Sequence, residues 1–214
     1  MPQNKVILFQ GDSVTDCDRN RAVSHSLGNG YPHDIASALS YRDPDKGYTF
    51  LNRGVSGDRV VSLLARWKAD CLNLKPDVLS VLIGINDVWH EFNTQTGVTA
   101  DKFERYYSLL LADTLEALPR VNLILCDPFF TAAGQPGSEL ERWTAELAVR
   151  RAIVAKLAVK YRALHIPLQR YFDEACQLAP PAHWAGDGVH PTLAGHMLIA
   201  EKWLAAAGKS GMLR

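Results

Sequence analysis

Neither sign of charge predominates in this sequence: 23 lysines and arginines balance 23 aspartates and glutamates over 214 residues. Nucleic-acid binders usually carry a basic face, so no nucleic-acid partner is expected. No run of like charges marks a tail. Long apolar runs are also missing. The first one, after Lys5, stops at Gln10, too short for a signal peptide's apolar segment and far too short for a membrane span. A soluble, cytoplasmic protein with no membrane partner is expected. Cysteine is scarce: Cys17, Cys71, Cys126 and Cys176 are scattered, without the paired spacing of zinc or redox sites. Free thiols are expected, and oxidation of Cys17 would disturb its neighbour Ser13. No repeat, low-complexity stretch or linker interrupts the chain. Its length suits one α/β domain over residues 1–214 with a sizeable core.

What the sequence does hold is alternation. Short apolar runs at Val6–Phe9, Tyr48–Asn52, Val78–Ile83, Val121–Cys126 and Ala163–Ile166 read as strands. Between them lie helical patterns: Tyr31–Leu39, a face of Val60, Leu63, Leu64 and Trp67, another from Phe103 to Leu115, and Leu140 to Tyr161. A brief helix over Tyr171–Leu178 and a last one over Thr192–Ala207 complete the chain, with Pro191 expected to open the last. Parallel strands need crossover helices, so the pattern predicts a three-layer α/β/α sandwich with about five parallel strands.

Four polar stretches follow strand ends or precede the last helix: Gly11-Asp12-Ser13-Val14, Asn52-Arg53-Gly54-Val55-Ser56-Gly57-Asp58, Gly84-Ile85-Asn86-Asp87 and Asp187-Gly188-Val189-His190. Open α/β sheets keep their sites at the carboxyl ends of strands, so the first three converge at one edge if the sheet is parallel. The fourth can fold over them. A serine needs a base and an orienting acid to become a nucleophile, and His190 with Asp187 can complete a Ser-His-Asp relay on Ser13. Taken singly, each stretch also reads as an ordinary turn, since Asn and Asp bond locally to backbone, and Asp187 and His190 as a helix cap or metal ligands.

Taken together, these four stretches closely resemble the SGNH hydrolases, or GDSL esterases, over Ile7 to Ala200. The resemblance implies a flavodoxin-like sandwich, Ser13 as nucleophile, His190 as base and Asp187 as its orienting acid. It implies an oxyanion hole of the Ser13 and Gly57 N–H groups and the Asn86 amide. Val14 stands where the family name has leucine; both are apolar. Stretches such as Gly11-Asp12-Ser13-Val14-Thr15-Asp16-Cys17, Gly84-Ile85-Asn86-Asp87-Val88-Trp89 and His190-Pro191-Thr192-Leu193-Ala194-Gly195-His196-Met197 are similar to bacterial acetylxylan esterases of that family. The activity this resemblance implies is hydrolysis of short acyl esters, acetyl above all, on a sugar or xylo-oligosaccharide, through an acyl-enzyme and without metal or cofactor. The alternatives are a lysophospholipase or thioesterase of the same family, or a catalytically silent carbohydrate-binding protein. Some relatives form oligomers, so a homo-oligomer is open, although no stretch marks an interface.

The remaining candidates are weighed against plainer roles. Asp12, Asp16 and Asp18 offer oxygens to a divalent ion, but Asp12 is expected to shape the turn. It is grouped with Tyr31, Trp89 and Trp184 as substrate-binding, the three aromatics at the pocket rim. Asp58 and Asp87 read as helix caps or partners of the site. His183 and His196 read as structural, His33 and His165 as ordinary surface or core residues, and Trp67 and Trp203 as core.

Overall fold

A computed structural model describes residues 5–213. Five strands form one parallel sheet: β1 (Val6–Gly11), β2 (Thr49–Asn52), β3 (Val78–Leu82), β4 (Asn122–Cys126) and β5 (Leu164–Ile166), in the order β2-β1-β3-β4-β5. The helices are α1 (Ser13–Asp16), α2 (Tyr31–Arg42), α3 (Val60–Asp70), α4 (Ile85–Thr94), α5 (Ala100–Ala117), α6 (Gly134–Ser138), α7 (Leu140–Lys160), α8 (Leu168–Ala175), α9 (Pro181–Trp184) and α10 (Leu193–Ser210).

Side chains alternate across the sheet, and both faces are covered. Leu8, Leu79, Val81, Leu123 and Leu125 pack under α3, α5 and α7 with Leu63, Trp67, Tyr107 and Leu157. Ile7, Phe9, Val78, Ile124 and Ile166 pack under α2, α8 and α10 with Ile35, Phe172 and Trp203. This is the expected three-layer sandwich, and apolar burial holds it together; a fully buried Leu or Ile contributes about 1.5–3 kcal/mol. Ser80, on β3, is a buried polar residue in that layer, and the Trp203 indole N–H donates to its hydroxyl at 3.0 Å. Trp67 and Trp203 are core residues, as expected.

The order matters for function. The chain leaves β1 for β2 on one side and returns to β3 on the other, so the β1 and β3 turns part around a crevice. Open α/β sheets bind their ligands at such a switch point, beyond the carboxyl ends of the strands. A third apolar cluster, Ile85, Val88, Phe130, Trp143, Leu147 and Val189, packs separately from the two sheet layers and brings α4 against α7. No helix among the described residues is long and apolar enough to cross a membrane.

Three expectations shift. Helix α4 was not expected, because its buried side includes the polar Asn86 and Asp87 beside Ile85 and Val88, which breaks the apolar period. Pro191 does not open α10; Thr192 does, accepting the Gly195 N–H on its hydroxyl. Helix α8 begins at Leu168 and ends at Ala175, three residues earlier at each end than expected.

Candidate active site

Strand β1 ends on glycine for a steric reason: a side chain at Gly11 would overlap the Leu82 carbonyl and the Thr15 hydroxyl. Asp12 then caps α1. Its carboxylate accepts the Val14 N–H at 3.0 Å and its carbonyl takes the Asp16 N–H at 2.8 Å. Ser13 is therefore the first residue of a one-turn helix at the carboxyl end of β1, partly exposed.

His190 arrives from the turn between α9 and α10. Gly188, at φ +88°, reverses the chain there, and its carbonyl accepts the Thr131 N–H at 2.8 Å. The Thr192 hydroxyl donates to the His183 carbonyl at 2.6 Å and closes the turn. Inside it, Asp187 accepts three N–H groups: backbone Val189 at 2.9 Å, backbone His190 at 2.7 Å and His190 Nδ1 at 2.6 Å. Burial pushes the Asp187 carboxyl up, but the hydrogen bonds from the His190 ring and the two backbone groups outweigh it and hold the group below the usual carboxylate range. With Nδ1–H committed to Asp187, Nε2 is left as the acceptor. It lies 2.8 Å from Ser13 Oγ. A hydrogen-bonded chain of this kind can draw the proton from a serine hydroxyl. Both His190 and Asp187 keep nearly half of their side chains exposed, 45% and 49%, so the chain is open to an incoming ligand.

The turns after β2 and β3 meet beside α1. Gly57 stands exposed at φ +84°, a backbone conformation that glycine adopts freely. Asn86, second residue of α4, is 4% exposed. Its amide donates to the Asp58 carbonyl at 3.1 Å. A primary amide has two N–H donors, so one fixes the side chain and one is left for another acceptor. Asp87 caps α3 from a distance: its two oxygens accept the Val60 N–H at 3.1 and 3.2 Å. Burial raises the Asp87 carboxyl to about 7, against the Val60 N–H and the charges of Arg150 and Arg59. Asp58 pairs with Arg66 Nε at 2.8 Å. Asp16 accepts from Arg21 at 2.6 Å and from the Ser56 N–H at 2.9 Å.

Of the four residues expected to bind substrate, Trp89 has its ring beside the chain, the centroid 5.7 Å from that of His190. Its indole N–H donates to Gln135 Oε1 at 2.8 Å, a support from α6 that no local pattern announced. Tyr31 is a correction: it is fully buried, its hydroxyl 2.9 Å from the Thr15 hydroxyl and its backbone N–H on His196 Nδ1. Burial under α10 takes it away from any rim. Asp12 is another. At 1% exposure, and turned to Val14, it shapes the turn and reaches no surface. Trp184 lines a groove of about 450 Å³ between α8 and α10, with Tyr171, Leu178 and Met197. Asp12 and Asp16 are turned to separate partners, and among the described residues no three His, Cys, Asp or Glu side chains cluster as metal ligands would. All four cysteines are free. Cys17 Sγ is 3.4 Å from His196 Nε2; burial above all lowers that imidazole to about 4, so it is neutral.

Comparison with known proteins agrees with this geometry. The model of the GDSL-like lipase/acylhydrolase family matches residues 9–198. An acetylxylan esterase of Geobacillus stearothermophilus is 34% identical over 211 residues, covering 94% of this chain and 93% of that protein. Its crystal structure superimposes with a TM-score of 0.86 at 32% identity over 97% of both chains. A candidate GDSL-like lipase from Parabacteroides merdae gives a TM-score of 0.93 at 37% identity, covering 100% of this chain and 98% of that one. The chain belongs to the GDSL-like lipase/acylhydrolase family and is a carboxylic-ester hydrolase.

Proposed function

We propose that this hydrolase removes acetyl groups from acetylated sugars or xylo-oligosaccharides, with Ser13 as nucleophile, His190 as general base and Asp187 as the acid that orients it. The observation that carries the reading is the continuous chain from Ser13 Oγ to His190 Nε2 at 2.8 Å and from His190 Nδ1 to Asp187 at 2.6 Å. Ser13 Oγ attacks the ester carbonyl as its proton passes to Nε2. The carbonyl oxygen becomes an oxyanion facing the Ser13 N–H, the Gly57 N–H and the free amide hydrogen of Asn86. Donors fixed where charge develops lower the barrier, and losing one costs about 10²–10³ in rate. His190 then gives its proton to the leaving alcohol. Water enters by the same route and releases acetate, leaving Ser13 protonated. No step calls on a metal or cofactor.

The acyl and alcohol preferences rest on two supports. The relative of 34% identity is an acetylxylan esterase. Trp89 beside His190 offers a ring on which the apolar face of a sugar can pack. A lipolytic enzyme would instead gain about 0.8 kcal/mol for every methylene it buried.

The test is a panel of acetyl, butyryl and octanoyl esters of one alcohol, then acetylated xylo-oligosaccharides against lysophospholipid, run on the parent and Ser13→Ala. kcat/KM falling from acetyl to octanoyl, with activity abolished in folded Ser13→Ala, is the expected result. Efficiency rising toward octanoyl would replace the sugar substrate by a lipid one. A folded, active Ser13→Ala would remove the nucleophile assignment.

A further inference from the structure

The turn that carries Gly57 is built in an unusual way. Ser56 and Gly57 are both exposed, and a side chain at Gly57 would meet nothing within 4 Å. Packing therefore does not fix the tip of this turn. Hydrogen bonds do. The Val55 N–H donates to the Gly11 carbonyl at 3.1 Å, and the Asp58 N–H to the Val55 carbonyl at 3.1 Å. Between these, Ser56 is bound twice by one oxygen: Asp16 Oδ2 accepts its N–H at 2.9 Å and its hydroxyl at 3.1 Å. Asp16 lies in the same helical turn as Ser13. Its carboxylate is buried, with Arg21 at 2.6 Å and Arg19 at 3.9 Å. The turn also lies flat against α1, because a side chain at Gly54 would overlap the Asp16 backbone nitrogen.

We propose that Asp16 is a positioning residue: by holding Ser56 it fixes the Ser56–Gly57 peptide relative to Ser13, so that the Gly57 N–H and the serine nucleophile keep one spacing. The inference rests on Gly57 being an oxyanion donor, as proposed above. Its physical content is that one carboxylate ties the exposed tip that carries Gly57 to the helical turn that carries Ser13, beyond the Val55–Gly11 bond at the base of that turn. A donor on a loose tip would have to be ordered during the reaction, whereas a preorganised one is already aimed. Small misplacements are costly, since about 1 Å can cost 10² in rate. Asp16 touches no reacting atom; it acts through Ser56.

The experiment uses the full chain and five variants. In Asp16→Ala, kcat for an acetyl ester is expected to fall about 10–100-fold with KM within about twofold. The inhibition constant of a short alkyl boronic acid, which forms a tetrahedral adduct on serine, is expected to weaken by a comparable factor. Asp16→Asn keeps one acceptor oxygen and is expected to recover part of the loss. Arg21→Ala leaves both bonds to Ser56 in place, and its kcat is expected within about threefold of the parent. Ser56→Ala removes only the hydroxyl bond, and a drop in kcat of about three- to tenfold is expected. Unchanged kcat and boronate affinity in folded Asp16→Ala would overturn the proposal. So would an equal loss in Arg21→Ala, which would assign the effect to charge, or a rise in KM alone. If Asp16→Ala does not fold, Ser56→Ala decides: a parent-like kcat and boronate affinity overturns the proposal. Ser13→Ala, run in parallel, keeps the two readings apart. An inactive Ser13→Ala beside a fully active Asp16→Ala removes this inference alone, while an active Ser13→Ala removes the function on which it stands.

Discussion

Asp187 holds three N–H donors although half of its side chain faces solvent. Those bonds keep it ionised at pH values where ordinary carboxylates begin to protonate, and they leave the imidazole only one way to carry its proton. Asp187→Asn preserves shape and one acceptor but lets an amide face Nδ1, which favours the wrong tautomer. The expected outcome is a fall in kcat of about 10³–10⁴ with the melting temperature nearly unchanged; steady-state kinetics and thermal unfolding check both. A loss below tenfold would mean that something else orients His190. That Ser13, Asp187 and His190 come together was legible in the sequence, because each sits in a short local pattern whose meaning does not depend on distant packing. Tyr31 and Asp12 were not. Whether Tyr31 lies at a rim or in the core is decided by His196, 165 residues later, and no pattern around Tyr31 carries that information.

At the scale of elements, the strands were the easiest to read and the helices that carry polar site residues the hardest. Strand β3 is buried on both faces and so appears as an apolar run broken only by Ser80. Helix α4 buries the polar Asn86 and Asp87, and an apolar period cannot survive that. Helix α10 shows how a helix start serves a site. The Thr192 hydroxyl accepts from Gly195 and donates to His183, so one residue both opens the helix and closes the turn that presents His190. Thr192→Ala is expected to lower stability by about 0.5–2 kcal/mol, which for a chain of this size is about 2–4 °C in Tm per kcal/mol. Calorimetry or a thermal melt measures it, and an unchanged Tm would show that the cap carries no stability.

For the whole molecule, buried carboxylates couple folding to pH. Burial raises Asp12 to about 7, against the Val14 N–H bond, while an unfolded aspartate titrates near ~3.9. Between those values the folded state binds the extra proton, so this group's contribution falls as pH rises from about 4 to about 7 and then levels off. His196 works in the opposite direction: lowered to about 4 by burial, it costs stability as pH drops from about 6.5 toward 4. Comparing Asp12→Asn with the parent at each pH cancels the histidine. The variant keeps an acceptor for Val14 and cannot ionise, so its stability relative to the parent is expected to rise between pH 4 and 7. One pKa unit is worth about 1.4 kcal/mol, which makes the rise at most about 4 kcal/mol. Urea unfolding at pH 4.5 and pH 8 tests this; a difference independent of pH would show that Asp12 is not the titrating group. The sheet order has a consequence for how the molecule comes into being. Ser13 stands near the start of the chain and His190 177 residues further on. During synthesis from the amino terminus, on the proposed roles, the serine waits without its base until His190 has been made and α10 has come to lie against α2, where His196 meets Tyr31. On the proposed roles a copy that stops short of His190 is expected to be silent, so the catalytic assay doubles as a check that the chain has been made and folded through that residue.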